Sequence, residues 1–214
     1  MADDRLPSEA DLALKHGASR PTVREALKRL AAQSLIRTKR GATGGAFVNR
    51  LSLDEAVTQQ ANAHRLVITT QEVEFEEACA ARFALERAAL PFAMEARTAD
   101  DLKALRSEIS KQSQSTITSE SFCASDIAFH RALVDASGNL ILSLQVASVV
   151  ESIQPLMNMI TVNERSREVI VGLHVKLADA LEARDQSAGD ALLCALSDYT
   201  MKIFRERPKR AGAQ

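Results

Sequence analysis

The sequence has 214 residues, of which 46% are hydrophobic, only 4% are aromatic and none is Trp. This length suffices for one large domain or two small ones, and the Ala-, Leu-, Glu- and Arg-rich composition favours an α-helical protein with a sizeable core. The net charge of −1 hides an uneven distribution: residues 1–50 hold 10 Lys and Arg against 5 Asp and Glu (net +5), whereas residues 51–214 hold 17 against 23 (net −6). A basic N-terminal part on an acidic remainder indicates that only the N-terminal part meets a polyanion.

Other features of the sequence argue against a disulfide scaffold and against a membrane protein. The three cysteines, Cys79, Cys123 and Cys194, are odd in number, lack Cys-x-x-Cys spacing and fall within apolar helical patterns. They are therefore interpreted as buried free thiols in a reducing compartment. We find neither a signal peptide nor an apolar run of about 18 residues. The sequence therefore predicts a cytoplasmic protein with no membrane partner.

Two short helices with a glycine between them are predicted near the N-terminus. Ser8 begins the first helix, which extends to about Lys15 and ends at Gly17, and Ser19 begins the second. This spacing is typical of a helix–turn–helix. The second helix has an apolar face formed by Val23, Ala26, Leu27 and Leu30, and its basic and hydroxyl residues, Arg20, Thr22, Arg24, Lys28 and Arg29, lie off that face. Such a helix presents its N-terminus to DNA, although taken alone it is equally typical of a solvated amphipathic helix.

A basic, glycine-rich hairpin is predicted directly after these helices. Two short strands, 35–38 and 46–48, flank the segment 39–45, which contains Lys39, Arg40, Gly44 and Gly45. A hairpin of this composition beside a helix–turn–helix is a wing that can lie along a groove of DNA. The combination predicts a winged helix-turn-helix DNA-binding domain over residues 1–50.

The remainder of the chain reads as mainly α. A capping box at Ser52 and Glu55 predicts a linker helix within residues 51–72. Residues 73–207 then form an all-helical bundle with a loop at 113–119 and a tail at 208–214. The predicted helices cover 73–96, 98–112, 120–136, 140–160 with a kink at Pro155, 166–184 and 188–205.

Several polar residues fall on inward faces of this bundle. Asp126 and His130 are four residues apart on one helix, and His174 lies on the apolar stripe of another. Carboxylate and imidazole together suit divalent metals, but an Asp–His hydrogen bond with a separate core histidine explains the same pattern. Arg82 and Glu86, also four apart, form a possible structural ion pair.

Residues 1–50 resemble the DNA-binding domain of GntR-family transcription regulators. The resemblance rests on Leu-Pro-Ser-Glu at 6–9, Ser-Arg-Pro-Thr-Val-Arg-Glu-Ala-Leu at 19–27 and a wing ending in Gly-Gly-Ala-Phe-Val at 44–48. It implies that double-stranded operator DNA is bound by Ser19, Arg20, Thr22, Arg24, Lys39, Arg40, Gly44 and Gly45. Two departures are present: Ala10 stands where relatives place an Arg that touches DNA, and the first helix of the family is missing before Leu6. The second departure suggests a start site placed too late or a shortened chain.

Residues 73–207 resemble the FCD effector domain of the FadR subfamily. The match is carried by Arg-Phe-Ala-Leu-Glu at 82–86, by the segment from Asp126 to Asn139, and by His174. In metal-binding members of this family the ligands are one Asp and three His, which implies the ligands Asp126, His130 and His174 here. Zinc, nickel and manganese all suit such mixed nitrogen and oxygen ligands. No histidine follows His174; ungapped counting places Leu196 at the fourth position, and a small shift would bring in Asp198. The site then has three ligands with water, uses Asp198 as a fourth, or holds no metal.

The two resemblances together imply a homodimeric transcription regulator whose operator affinity is controlled by a small organic acid. Arg82 would bind the carboxylate and Asn139 would add an amide hydrogen bond; no organic cofactor is implied. A metal-dependent helical-bundle enzyme acting on a small organic acid is the alternative. We find no catalytic residues for it, since no nucleophile is paired with a base and no further acid or base is placed for proton transfer.

Overall fold

The computed structural model describes residues 3–41, 44–161 and 167–206. The chain divides into two compact units, Met1–Glu55 and Ala56–Gln214, which are described separately. The predicted fold class, a winged helix-turn-helix followed by an all-helical bundle, is confirmed. The predicted tail, 208–214, lies outside the described residues.

The first unit begins with the predicted helix–turn–helix. Helix α1 (Glu9–His16) starts at a capping box formed by Ser8 and Asp11, and it ends at Gly17, whose φ of 61° is left-handed. Helix α2 (Arg20–Ala32) starts at Ser19, whose hydroxyl accepts a hydrogen bond from the amide of Thr22. Since these caps satisfy backbone donors that a helix leaves free, the sequence determines both starting points locally.

An antiparallel hairpin completes the first unit. Strand β1 (Ile36–Lys39) pairs with β2 (Gly45–Val48), so each strand extends one residue closer to the turn than predicted. Residues 3–6 lie along the other edge of β2, where Asp3 donates to the carbonyl of Val48 at 3.0 Å and Leu6 to that of Ala46 at 2.8 Å. The sequence patterns did not predict this third segment, because it is too short to show alternation.

Within the described residues, the regular elements of the second unit are all helices. They are α3 (Leu53–Thr70, which begins just before this unit), α4 (Phe75–Ala96), α5 (Ala99–Gln112), α6 (Ser119–Asp135), α7 (Leu140–Ser152), α8 (Gln154–Thr161), α9 (Arg167–Ala183) and α10 (Gln186–Glu206). None of the helices within the described ranges is both long enough and apolar enough to cross a membrane.

The helix predicted for 140–160 is in fact two helices. Helix α7 ends before Ile153, and Pro155 is the second residue of α8. Proline has no N–H and its ring clashes with the carbonyl four residues earlier, whereas it is tolerated in a first turn. The prediction of a kink in one continuous helix was therefore wrong, and a break replaces it.

The predicted linker helix contacts the bundle. Val57 and Ala61 on α3 are buried, and α3 is joined to α7 by a hydrogen bond between Gln60 and Gln145 at 2.8 Å. Arg65 donates to the carbonyl of Glu151 at 3.0 Å. The division into residues 1–50, 51–72 and 73–207 stays a prediction, while the backbone contacts place the unit boundary after Glu55.

The main core lies among α4, α5, α6, α9 and α10. Its buried side chains include Phe83, Leu90, Leu105, Phe129, Leu133, Leu177, Leu181, Leu193 and Leu196. Charged and polar side chains are also buried in this core; they include Arg82, Glu86, Asp126, His130 and His174.

Candidate functional site

The N-terminal end of α2 carries the residues predicted to meet DNA. Arg20, Thr22 and Arg24 are all exposed. The hydroxyls of Ser19 and Thr22 lie 2.8 Å apart, so both belong to the helix cap. Lys39 at the end of β1 and Arg40 in the turn are exposed as well. The first unit therefore presents exposed cations at the N-terminus of α2 and on the hairpin.

Arg24 is held by a carboxylate that sequence reasoning did not single out. Its Nε lies 3.1 Å from both carboxylate oxygens of Glu9, and its Nη2 lies 2.7 Å from Oε2. The hydrogen bond from Arg24 lowers the pKa of Glu9, and the same bond raises the pKa of Arg24. The pair joins α1 to α2 at 15 residues' separation, and it leaves Nη1 of Arg24 outside these contacts.

Steric crowding explains why glycines occupy positions 44 and 45 of the hairpin. A Cβ atom on Gly44 would lie 2.4 Å from the carbonyl oxygen of Lys39 and 2.7 Å from that of Gly41. Gly45 has a φ of 147°, and the Arg5 guanidinium donates at 2.6 Å to the carbonyl of Gly44. The hairpin thus requires glycine at position 44, within the glycine-rich segment 39–45.

Three potential metal ligands meet in the second unit. Asp126 and His130 on α6 and His174 on α9 each offer a donor atom, and these atoms lie within 4.8 Å of one another. Nε2 of His174 lies 3.7 Å from Oδ1 of Asp126. Metal bonds of about 2.0–2.2 Å place ligand atoms about 3–4 Å apart, so only a small contraction separates this cluster from a coordinating one.

Each histidine of this cluster is held through Nδ1 by a residue from another helix. Nδ1 of His130 lies 2.6 Å from Oε2 of Glu86 on α4, and Nδ1 of His174 lies 2.8 Å from Oε1 of Gln112 on α5. Nε2 of His130 is buried and has no hydrogen-bond partner among the described residues. Such outer partners orient metal-bound histidines in proteins, and the arrangement therefore fits a divalent metal.

The three ligand positions are enclosed by apolar and aromatic side chains. The ring of Phe129 stacks on His174 with centroids 3.9 Å apart, and Phe83 and Phe129 contact His130 edge-on. His130 and His174 are both 0% exposed, and Asp126 is 5% exposed. A low-dielectric surrounding strengthens electrostatic interactions, so this carboxylate and these imidazoles would attract a cation strongly.

Arg82 lies beside the cluster as part of a buried charge network. Its Nε donates to Oε1 of Glu86 at 2.6 Å, and the two side chains are 1% and 0% exposed. Nη2 of Arg82 has no hydrogen-bond partner within the described part of the chain. Burial lowers the pKa of Arg82, but the carboxylates of Glu86 and Asp126 raise it above its ordinary value, so the guanidinium stays charged. Burial raises the pKa of Glu86, but the interactions with His130 and Arg82 outweigh this effect. The pKa of Glu86 is therefore below its ordinary value, and this carboxyl is ionised.

Two residues predicted for this site have other positions in the structure. Asn139 is exposed and caps α7, its Oδ1 accepting from the amides of Ile141 at 3.1 Å and Leu142 at 3.2 Å. Asp198 is exposed on α10, and Leu196 occupies the core at 0% exposure. The structure therefore gives Asn139 a capping role, and it does not bring Asp198 to the cluster as a fourth ligand.

Sequence reasoning missed the partners that come from distant helices. The i,i+4 spacing indicated the Arg82–Glu86 pair, but nothing local links Glu86 to His130 or Gln112 to His174. The alternative of an Asp126–His130 hydrogen bond likewise did not anticipate Glu86, which contacts Nδ1 of His130. Only the inward position of these polar residues on apolar stripes signalled that a partner was needed.

Comparison with known proteins supports the same two-part organisation. Residues 1–48 match the family described as bacterial regulatory proteins, gntR family, and residues 77–197 match the FCD domain. The HTH-type transcriptional repressor NanR of Salmonella newport (strain SL254) is 27% identical over 195 residues, which cover 89% of this chain and 73% of that protein. NanR of Salmonella arizonae is also 27% identical over 195 residues, covering 89% of this chain and 72% of that protein.

Solved structures show the same fold at low sequence identity. A GntR protein of Streptococcus agalactiae aligns with a TM-score of 0.64 and 17% identity, covering 96% of this chain and 91% of that one. McbR/YncC of E. coli aligns with a TM-score of 0.50 and 19% identity, covering 96% and 89%. These likenesses concern the fold alone. The family matches decide between the two functional classes raised by the sequence, in favour of a regulator rather than an enzyme. The chain belongs to the GntR family of DNA-binding transcription regulators and carries a C-terminal FCD domain.

Proposed function

We propose that this regulator is a cytoplasmic, homodimeric repressor whose affinity for operator DNA changes when a small carboxylate binds beside a divalent metal in the FCD domain. The observation that carries the proposal is the buried cluster of Asp126, His130 and His174 with the charged Arg82 guanidinium next to it. Repression is inferred from the names of the NanR relatives, which are repressors.

The DNA-binding step rests on the first unit. The cations at Arg20, Arg24, Lys39 and Arg40 neutralise phosphates or meet base edges, and the exposed N-terminus of α2 enters the major groove. Because each neutralised phosphate releases counterions, affinity falls by about 0.9 log units per log unit of salt for each such contact. A dimer places two of these surfaces on two half-sites.

The effector step rests on the second unit. When bound, zinc, nickel or manganese offers open coordination positions to which a carboxylate oxygen can bind, because the described residues supply three protein donors to the cluster. Arg82 contributes a fixed positive charge, and its Nη2 is a donor that the described residues leave without a partner. A charged donor buried in this way gains from a carboxylate that enters the site.

The acid controls DNA affinity only if it prefers one arrangement of the dimer over the other. This is a thermodynamic coupling, and it is reciprocal: DNA changes the affinity for the acid by the same factor that the acid changes the affinity for DNA. Couplings of this kind are typically worth about 5- to 150-fold in affinity.

The experiment begins by selecting binding sites from a random duplex library with the whole protein. A panel of mono-, di- and hydroxycarboxylic acids is then screened by thermal shift with zinc present. We expect one acid to raise the Tm of the wild type and of Arg87→Ala but not of Arg82→Ala, and to change DNA affinity about 5- to 150-fold. Arg87→Ala is the matched control, because Arg87 lies on the same helix but pairs with exposed Asp190. An acid that stabilises Arg82→Ala as much as the wild type would make Arg82 a structural ion-pair residue.

A further inference from the structure

The two histidines of the cluster are held by chemically different acceptors. His130 contacts the carboxylate of Glu86, whereas His174 contacts the amide of Gln112. A neutral imidazole binds metal through the nitrogen that carries no proton, so the residue on Nδ1 decides whether Nε2 is available. The two acceptors differ in how strictly they fix the position of the imidazole proton.

Glu86 leaves a neutral His130 only one arrangement of its proton. Arg82 has only donors, so its Nε–H must point at Oε1 of Glu86, 2.6 Å away. An ionised carboxylate can only accept, and its other oxygen lies 2.6 Å from Nδ1 of His130. Nδ1 therefore carries the proton. Nε2, which is buried and without a hydrogen-bond partner in the described part of the chain, presents its lone pair to the cluster.

Gln112 does not impose the same restriction on His174. An amide group offers an oxygen acceptor and an NH₂ donor on similar geometry, and exchanging the two would reverse the proton on His174. The specification of this second histidine is therefore weaker. The cluster found among the described residues has three protein donors, so metal binding depends more on Nε2 of His130 than it would in a site with four donors.

We propose that Glu86, itself anchored by Arg82, is a positioning residue that keeps Nε2 of His130 free to bind the metal. The inference rests on the metal site of the proposed function. It also gives two nitrogens of Arg82 different functions. Nε donates to Glu86, and Nη2 is the donor that would bind the carboxylate effector. The same carboxylate thus links the metal ligand to the cation that faces the carboxylate effector.

Glu86→Gln tests the proposal with the full chain and zinc alone as the probe. Because Arg82 can only donate, the amide oxygen accepts from its Nε–H and the NH₂ group faces Nδ1 of His130. This favours the tautomer of His130 whose proton is on Nε2, and that proton blocks metal binding. We expect zinc affinity, measured by competition with a chromophoric chelator, to fall about 10- to 100-fold. Asp190→Asn is the matched control: it also neutralises a carboxylate paired with an arginine of α4, but on the exposed surface, and its zinc affinity should equal that of the wild type.

A second measurement keeps the test valid if Glu86→Gln does not fold. Nitrogen-15 NMR of the zinc-free wild type reports which imidazole nitrogen of His130 is protonated, and the proposal requires a proton on Nδ1. Protonation on Nε2 in the wild type, or unchanged zinc affinity in folded Glu86→Gln, would overturn the role of Glu86. A wild type that binds no zinc, with Nδ1 of His130 protonated, would instead overturn the metal site of the proposed function.

Discussion

Arg24 on α2 and Glu9 on α1 form a two-pronged ion pair across the helix–turn–helix, with Nη2 of Arg24 2.7 Å from Oε2 of Glu9. The side chains are 60% and 36% exposed, so the pair itself adds little stability. Its effect is geometric, because it fixes the direction of a long side chain that otherwise samples many rotamers. A guanidinium held in this way loses less side-chain conformational entropy when it binds DNA.

Arg24→Ala should abolish sequence-selective DNA binding while the protein stays folded. The variant removes the cation that the first unit presents near the N-terminus of α2, but it leaves the helix caps and the core intact. Fluorescence anisotropy with the selected duplex and a scrambled duplex measures the affinity ratio, and circular dichroism checks the fold. Lys202→Ala on α10 of the second unit loses the same charge and serves as the control. Full operator affinity in Arg24→Ala would show that Arg24 does not read DNA.

Gly44→Ala should weaken DNA binding by distorting the hairpin. Its Cβ would lie 2.4 Å from a backbone carbonyl oxygen, a contact that no side-chain movement relieves. We expect the loss to affect selected and scrambled duplexes alike, since a wing contributes backbone contacts. Gly172→Ala is the matched control, because a Cβ there meets nothing within 4 Å. That substitution should stabilise α9 by about 0.5–1 kcal/mol. Undiminished DNA binding by Gly44→Ala would argue against a role for the turn.

The sequence predicted the local features of the fold well and the distant contacts poorly. Ser8 and Ser19 cap the helices that their patterns predict, because a cap depends on residues three positions apart. The cluster of Asp126, His130 and His174 could be predicted from the sequence because each residue lies on the inner face of a recognisable helix. Gln112 gave no such signal: it closes α5, and only the packing of α5 against α9 brings it to His174.

Removing the metal should destabilise the second unit, and the ligand variants should show which residues hold it. His174→Ala is expected to reduce zinc occupancy strongly, because it leaves two protein donors. Asp198→Ala should leave occupancy unchanged, since Asp198 is exposed. Elemental analysis of untagged protein, together with thermal unfolding with and without chelator, measures both effects. Occupancy should also fall on acidification, because an imidazole must be neutral to bind a metal. Protein that takes up none of the three metals would exclude the site.

The ion pair between Arg87 on α4 and Asp190 on α10 should give stability that depends on acid pH. Nε and Nη2 of Arg87 lie 2.6 Å and 2.9 Å from the two oxygens of Asp190. The hydrogen bond from Arg87 lowers the pKa of Asp190 below its ordinary value of 3.8. The folded state therefore favours the ionised carboxylate, and the resulting stability is present above pH 3.8 and is lost as the pH falls through the lower, folded-state pKa.

Asp190→Asn removes this contribution, so the wild type and the variant should differ at neutral pH and converge in acid. Because both side chains are more than 40% exposed, solvent screens the pair and the difference in the free energy of unfolding should be small. Urea unfolding of the zinc-free proteins between pH 7 and pH 3 measures it without the effect of metal release. A difference that stays constant across this range would mean that the packing of residue 190, rather than its charge, joins α10 to α4.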